Sequence, residues 1–542
     1  MIYMRTKFVV VTGSLMSGMG KGLITSSILK ILDMYGYKVL PVKFDGYLNY
    51  DCGTMNPYRH GEVFVLDDKS EVDMDFGMYE RFLEKPLFGD LSITGGKLFS
   101  TIIKKERKGE YLGEDVQIIP HLTNEILTRI KGIAEKNDLD VMVIEVGGTI
   151  GDIENSYFVE AMRQLMLKEK VVFASLTYLP LLDVVGEQKT KPTQIAYRAM
   201  MALGIKPTFL FCRTEGELQK KTKMKLSLFT NIDESHIFDD STLSHLYTIP
   251  LHFMDQGFDK MLIEELGLRK RSISRGKLNR LKKLNDALLH PKKEVNVGII
   301  GKYVELRDAY ISVKEALVHS GAALDSRVNI RWIESESLER EDARNYLGDL
   351  DGIIVPGGFG KRGIEGMINA ISYARESKTP YLGLCLGMQL MSIEYARNVC
   401  SMKGANSTEF DPKTRYKVIY TLPSQRRQEY KGATMRLGRW EGRILKKDSI
   451  AYRAYKSDVF HERHRHRYEF NKKYMDDMEN HGFVISSATP MDRLVETVEW
   501  KDSFGIGTQA HPELKSTPSH PAPLFVEFVK ASIAKREGRG TL

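Results

Sequence analysis

Phe8-Val9-Val10-Val11-Thr12-Gly13-Ser14-Leu15-Met16-Ser17-Gly18-Met19-Gly20-Lys21-Gly22 decides how this chain reads. The apolar run at its start predicts a buried strand, and the amphipathic stretch from Leu23 to Tyr35 predicts a helix. Between them lies a glycine-studded loop that ends in a lysine. Such a loop cradles phosphate. Its glycines let backbone N–H groups approach the anion, the helix N-terminus favours negative charge, and the lysine reaches the outer phosphates. A standard loop carries Ser or Thr directly after the lysine to hold magnesium. Gly22 stands there instead, so carboxylates elsewhere must hold the metal.

Working outward, Lys38 to Phe44 reads as a second strand, with polar Lys43 and Asp45 at its end. Open α/β sheets bind ligands at such strand ends. Leu139 to Val146 reads as a buried strand ending in Glu145 and running into Gly147-Gly148-Thr149-Ile150-Gly151-Asp152-Ile153-Glu154. Magnesium takes one or two carboxylates beside phosphate oxygens and water, which makes Asp75 and Glu145 its candidate ligands. A buried acid satisfied by backbone donors is the alternative for Glu145. Residues 51–120 read as irregular. If the alternating stretch 71–75 is extended, Glu71, Asp73 and Asp75 share one face. Leu122 to Lys136 predicts a helix, and Val171 to Thr177 and Thr208 to Cys212 predict strands. Gly186 to Gln194 opens a helix that runs to Leu203. Lys189, Thr190, Lys191 and Thr193 around its start form either an anion site or a solvated basic turn.

At 542 residues the chain has room for roughly two to four domains. No apolar run approaches the roughly 18 residues of a membrane span. The N-terminal apolar run is too short for a signal peptide. Four scattered cysteines without metal-type spacing suggest a cytoplasmic, reducing setting. The net charge of +8 suits anionic partners and cannot choose between nucleotides and nucleic acid. Between Arg269 and Lys293, ten of 25 residues are Lys or Arg, which marks a domain boundary. The absence of aromatic residues there favours a solvated linker helix over a nucleic-acid arm.

A second α/β pattern follows. Strands are predicted at Val295 to Ile300, Val328 to Ile333 and Leu350 to Val355, with helices at Tyr310 to Ser320 and Met367 to Glu376. Tyr381-Leu382-Gly383-Leu384-Cys385-Leu386-Gly387-Met388-Gln389 reads as strand, sharp turn and helix with Cys385 at the turn. Small neighbours permit the strained turn that exposes a nucleophile, and the helix N-terminus favours its thiolate. Gly357-Gly358 offers backbone N–H groups to an oxyanion. His511 and Glu513 supply a base and a carboxylate to orient it. The cluster His461 to Glu469 carries three arginines among its histidines. That fits an arginine–carboxylate clamp better than a metal site.

Together these motifs resemble the CTP synthase family from about Lys7 to Val529. The specific pieces are Gly20-Lys21-Gly22, Asp51-Cys52-Gly53-Thr54-Met55, Gly61-Glu62-Val63-Phe64-Val65, Glu145 to Glu154, Lys189 to Gln194, Gly383 to Gln389, Asn406-Ser407-Thr408-Glu409-Phe410, Met435-Arg436-Leu437-Gly438 and Glu462 to Glu469. The resemblance implies an α/β chain of two three-layer domains with mostly parallel sheets. The first is a deviant P-loop NTPase-like synthetase domain (1–268), followed by a basic linker (269–293) and a flavodoxin-like class I glutamine amidotransferase domain (294–542). It implies ATP on Gly18, Met19, Gly20, Lys21, Gly22, Leu23 and Asp75, with Mg²⁺ on Asp75 and Glu145. UTP, and CTP as product inhibitor, would use Ser17, Asp152, Ile153, Glu154, Lys189, Thr190, Lys191, Pro192, Thr193, Gln194 and Lys225. Lys43 would support phosphoryl transfer. Cys385, His511 and Glu513 match the glutaminase triad. Gly358, Leu386, Gly387, Met388, Gln389, Glu409 and Arg467 match the glutamine-binding positions.

The activity implied is ATP-dependent amination of UTP to CTP through a 4-phosphorylated intermediate. Ammonia comes from glutamine through an internal passage between the domains. A cytoplasmic homotetramer without nucleic-acid or membrane partners is implied as well. Gly18-Met19, Gly46, Cys52 and Ala510 depart from the usual pattern without removing a functional group. Lys417 to Gly432 is several residues short of the family's lid, which bears on activation by GTP, a role carried partly by Arg362. Two other readings stay open from sequence. One is an amidotransferase acting on a carboxylate-bearing cofactor precursor; the other is a nucleotide-binding scaffold that has lost catalysis.

Overall fold

Runs of valine, isoleucine and phenylalanine that expose almost nothing to water form the centre of each half of the chain. Strands buried on both faces read as continuous apolar stretches, and they belong in parallel sheets covered by helices. The computed structural model describes residues 5–14, 16, 18–182, 186–241, 245–421, 434–491 and 493–539. Ser17 and the stretch 422–432 of the expected lid lie outside the described residues. Two compact units result. The first comprises Met1–Asp51, Met78–Lys85 and Asp90–Asn285; the second comprises Cys52–Gly77, Pro86–Gly89 and Asp286–Leu542.

The first unit carries a seven-stranded parallel sheet. Its order is Ile237–Ser241, Phe209–Thr214, Val171–Tyr178, Lys7–Gly13, Val141–Val146, Val39–Asp45 and Ser92–Thr94. The register sets Val11 and Lys43 on either side of Glu145. The loop lysine opens the helix Lys21–Met34, which packs against Val141–Val146 and Val39–Asp45. Nearly every residue of that helix is buried, as expected for the crossover inside a three-layer α/β unit.

The second unit carries a nine-stranded sheet. Ser326–Glu334, Lys293–Gly301, Gly352–Val355, Tyr381–Leu384 and Gly505–Thr508 run parallel. Val495–Trp500, Phe483–Ala488, Arg436–Ile444 and Val459–His466 extend it antiparallel. Apolar clusters on its two faces are centred on the helices Leu386–Asn398 and Pro523–Arg536.

The stretch 51–120 departs from the expected irregular reading. It holds a short hairpin (Phe64–Val65 with Glu71–Val72), the helices Asp75–Leu83 and Gly95–Arg107, and the strand Ser92–Thr94. Gly95 lets a helix start press on a neighbouring backbone, because a Cβ there would sit 2.9 Å from the Gly46 and Tyr47 carbonyls. Thr94 caps that helix by accepting from the Lys97 N–H (3.1 Å). Glu71, Asp73 and Asp75 do not share an extended face. The Asp73 carboxylate accepts from the Asp75 N–H (2.9 Å), and the chain turns there into a helix. Within the basic stretch, Arg275–Leu289 forms the expected helix, and Leu281 and Leu288 are buried.

Candidate active sites

In the first unit, the strand ends gather the glycine loop, Glu145 and Lys43. Gly18 and Gly20 take φ of +76° and +101°, in the left-handed region that side chains rarely enter. The Lys21 ammonium donates to the Gly148 carbonyl (2.6 Å), which ties the loop to the turn after Glu145. The Glu145 carboxylate is almost fully buried. It accepts from Lys43 (2.7 Å), Thr25 (2.9 Å) and Tyr79 (2.5 Å). Side chains rather than backbone N–H groups supply these contacts, so the backbone-satisfied reading of Glu145 does not describe them. Thr12 Oγ1 and Ser14 Oγ are buried with no hydrogen-bond partner among the described residues. Buried hydroxyls before a glycine loop fit hydrogen bonding to a polar ligand.

Arg213 belongs to this site and went unread in the sequence. It is the penultimate residue of the strand Phe209–Thr214, and its guanidinium lies so near the loop that a Cβ on Gly20 would meet Nη2 at 2.9 Å. Nε pairs with Asp240 (2.8 Å), and Nη2 has no partner among the described residues. The available signal is an arginine near the end of a parallel strand that is otherwise apolar up to it.

The expected nucleotide segment divides in two. Thr190, Thr193 and Gln194 turn inward: Thr193 bonds Thr177 (2.8 Å), and Gln194 donates to Thr190 (3.0 Å). Lys189 and Lys225 pair with Glu187 at 2.7 and 3.9 Å. Lys191 and Lys225 are exposed, and Pro192 is half-buried. Asp152 accepts from the Thr149 N–H (2.7 Å), and Ile153 and Glu154 are exposed. Among the described residues no group of three or more His, Cys, Asp or Glu forms a metal cluster. Asp75 belongs to the second unit.

In the second unit, Cys385 joins the strand Tyr381–Leu384 to the helix Leu386–Asn398 with φ +50° and ψ −96°. That strained turn requires its neighbours to be bare: a Cβ on Gly383 would sit 2.7 Å from the Gly387 carbonyl carbon. His511 Nδ1 bonds Glu513 (2.7 Å), and Cys385 and His511 line the same cavity. Burial alone would lower the His511 pKa. The charges of Glu513 and Cys385 override it and push the pKa up to about 10. A narrow cavity of about 80 Å³ opens onto Cys385, His511, Gly357 and Gly358. Glu409 accepts from the Gly360 N–H (2.8 Å) beside it. Burial lowers Lys302 to about 8 against the raising charge of Glu409, and its ammonium donates to the Phe359 carbonyl (3.3 Å).

Pro57, Glu62 and Val63 also line this cavity, and sequence reasoning did not place them there. They are held within the unit by the Glu62 N–H donating to the Asp308 carbonyl (3.0 Å) and by Tyr58 donating to the Lys302 carbonyl (2.5 Å). The arginine cluster reaches the same segment: Arg463 pairs with Asp67 (2.6 Å) and Arg465 with Glu71 (2.8 Å). Arg467 donates to Thr434 (2.7 Å). Gln389 is buried and donates to the Tyr468 carbonyl (3.2 Å).

Residues 7–268 match the family model described as the CTP synthase N-terminus, and residues 305–531 match that of class-I glutamine amidotransferase. CTP synthase of Methanocaldococcus jannaschii is 46% identical over 540 residues, covering 98% of this chain and 99% of that one. The Carboxydothermus hydrogenoformans enzyme is 47% identical over 532 residues (97% and 99%), and the Thermococcus gammatolerans enzyme 48% over 538 residues (98% and 100%). Among solved structures, the glutaminase domain of Trypanosoma brucei CTPS with bound acivicin is 40% identical. It covers 44% of this chain and 94% of its own, with a TM-score of 0.42. With both domain models matched in order and near-complete relatives at this identity, the chain belongs to the CTP synthase family.

Proposed function

We propose that the chain aminates UTP to CTP, using ATP and the ammonia it releases from glutamine, with 1–268 as synthetase, 269–293 as linker and 294–542 as glutaminase. The observation that carries this reading is the cavity shared by the strained Cys385, His511 and Glu513, with Glu513 held on His511 Nδ1. The Cys385 proton passes to His511, and the thiolate attacks the glutamine side-chain carbonyl carbon. The carbon–sulfur bond forms, the carbon–nitrogen bond breaks, and nitrogen leaves as ammonia with the proton from His511. Water, activated by the same imidazole, then cleaves the thioester to glutamate and restores the thiol. Backbone donors near Gly358 would hold the oxyanion, and Gln389, Glu409 and Arg467 would seat the amino acid.

In the first unit, phosphorylating O4 of UTP would turn a poor leaving group into phosphate, which ammonia then displaces. The loop Gly18 to Leu23, Lys21 and Lys43 would spread the charge of the moving phosphoryl group. Magnesium fits the donor types present: the ion needs few protein ligands when it arrives on a nucleotide, and the Glu145 carboxylate stands at the strand end beside the loop. Glu145 and Asp75 would hold it, and it would neutralise phosphate charge. Asp152 to Glu154, Lys189 to Gln194 and Lys225 are the proposed UTP and CTP contacts. A tetramer, a cytoplasmic location, inhibition by CTP and activation by GTP are proposed with them. No helix among the described residues is long and apolar enough to cross a membrane.

The test is CTP formation from UTP, ATP and Mg²⁺, run in parallel with glutamine and ammonium, each with and without GTP. CTP from both nitrogen sources supports the reading. A folded, nucleotide-binding protein that makes no CTP from either source overturns it, in favour of another amidotransferase substrate or a scaffold.

A further inference from the structure

We propose that Gln509 is a positioning residue of the glutaminase centre: its side-chain amide donates to the Cys385 sulfur and holds it as the attacking thiolate. The inference rests on the proposed glutaminase reading. Gln509 follows the strand Gly505–Thr508 and is fully buried. Its Nε2 lies 3.6 Å from Cys385 Sγ, within reach for a donor meeting a large sulfur atom. Its Oε1 accepts from Gln389 Nε2 (3.3 Å), and Gln389 Nε2 also donates to the Tyr468 carbonyl (3.2 Å).

This chain of contacts fixes which end of each amide faces where. The Tyr468 carbonyl can only accept, so the amino end of Gln389 turns toward it and toward Gln509. Gln509 must then present its oxygen to Gln389 and its N–H to the sulfur. The backbone leaves little freedom to depart from this. The Gln509 N–H donates to the Glu496 carbonyl (2.8 Å), and the Cys385 N–H donates to the Thr508 carbonyl (2.7 Å). Cys385 is thus pinned to the strand Gly505–Thr508 that leads into Gln509, and Gln509 to the adjacent strand Val495–Trp500.

His511 takes the thiol proton and must move with the reaction. Gln509 carries no charge and keeps its proton throughout, so it favours the thiolate before attack and again when the thioester is cleaved. A buried anion that meets a fixed neutral donor is favoured over its protonated form. The same contact aims the sulfur lone pair, since the donor occupies one side of the atom.

The experiment is alkylation of Cys385 by iodoacetamide as a function of pH, read by peptide mass so that Cys52, Cys212 and Cys400 do not contribute. CTP formation from glutamine and from ammonium is measured alongside. Gln509→Met keeps the length and removes the donor. Gln509→Glu keeps the shape and sets a carboxylate against the sulfur. The alkylation midpoint is expected to rise by about one pH unit in the Met variant and further in the Glu variant. The glutamine-driven rate should fall roughly 10- to 100-fold while the ammonium-driven rate holds.

Unchanged midpoints in both variants overturn the inference. Loss of ammonium-driven synthesis in both also overturns it, because the side chain then serves the fold. If only the Met variant misfolds, the Glu variant decides. Cys385→Ala separates this inference from the reading beneath it. If that variant keeps glutamine-driven synthesis, the glutaminase assignment itself fails. If it loses it while both Gln509 variants alkylate like wild type, only the role of Gln509 fails.

Discussion

Gly357→Ala tests the glutaminase geometry with a single methyl group. Gly357 is absent from the glycines with left-handed φ, so alanine costs its backbone nothing special. The obstacle is space. The new Cβ would stand 2.8 Å from His511 Cε1, 3.7 Å from Nε2 and 3.8 Å from Cys385 Cβ. Ordinary contact begins at 3.4 Å, so the imidazole must retreat by about 0.6 Å. It cannot swing freely, because Nδ1 is held by Glu513 at 2.7 Å and the His511 N–H by the Arg463 carbonyl at 2.8 Å. A misplacement of about 1 Å costs roughly 100-fold in rate. The expected loss in glutamine-driven synthesis is therefore roughly 10- to 100-fold, or about 1.4 to 2.7 kcal/mol. Initial rates of glutamate release and of CTP formation from glutamine and ammonium read this directly. The ammonium-driven rate should hold. Gly360→Ala is the companion variant: Gly360 has φ +82° and open space around it, so alanine there tests backbone conformation rather than crowding. Undiminished glutamate release by Gly357→Ala would refute the argument that His511 acts from this position.

Three further outcomes are expected. Cys385→Ala should abolish glutamine-driven synthesis and spare synthesis from ammonium; loss of both would sink the two-centre model. Lys21→Ala should block CTP formation from either nitrogen source, and appreciable residual turnover would show that the phosphate loop has been misassigned. His464 is fully buried, and burial first, then the Arg436 charge, lowers it to about 4. Below about pH 6.5 the unfolded chain takes up a proton there that the folded chain refuses. Stability should therefore drop as pH falls from about 6.5 toward 4, with a slope of up to about 1.4 kcal/mol per pH unit from this group. Denaturant titrations across that range should show a shallower slope in His464→Gln, and an unchanged slope would place the acid sensitivity elsewhere.

Much of this was legible because strong local signals agreed. A buried valine run followed by glycines and a lysine has few other folds, and the strand–cysteine–helix elbow announces itself by Gly383 and Gly387. The stretch 51–120 was less legible because its helices depend on partners distant in sequence. Gly95-Gly96 begins a helix against which the backbone of 46–49 presses, a contact that no local pattern displays. Arg213 was hidden for a related reason: a cation near a strand end acquires meaning only once the glycine loop that follows a strand two places away in the sheet lies against it. His511 and Glu513 were readable as a pair two residues apart. Gln509, on the same segment, was not, since an amide becomes informative only once the sulfur it faces is known.

Pro57, Glu62 and Val63 show how far a domain boundary in sequence can differ from one in space. They fall within the stretch matched by the N-terminal family model, yet they belong to the second unit and line the cavity that holds Cys385. Two buried or half-buried arginine–carboxylate pairs, Arg463–Asp67 and Arg465–Glu71, fasten that stretch to the strand Val459–His466. The backbone adds the Arg439 N–H donating to the Asp67 carbonyl (3.2 Å), at a point where Gly438 has no side chain to keep the two apart. Breaking one partner of a buried ion pair strands the other charge, at a cost of about 3–5 kcal/mol, so this attachment is not casual. The wall of the glutaminase cavity is thus built by residues that precede the linker by some two hundred positions. Changes in Gly61 to Val65 should then be felt in glutamine hydrolysis as directly as changes beside Cys385.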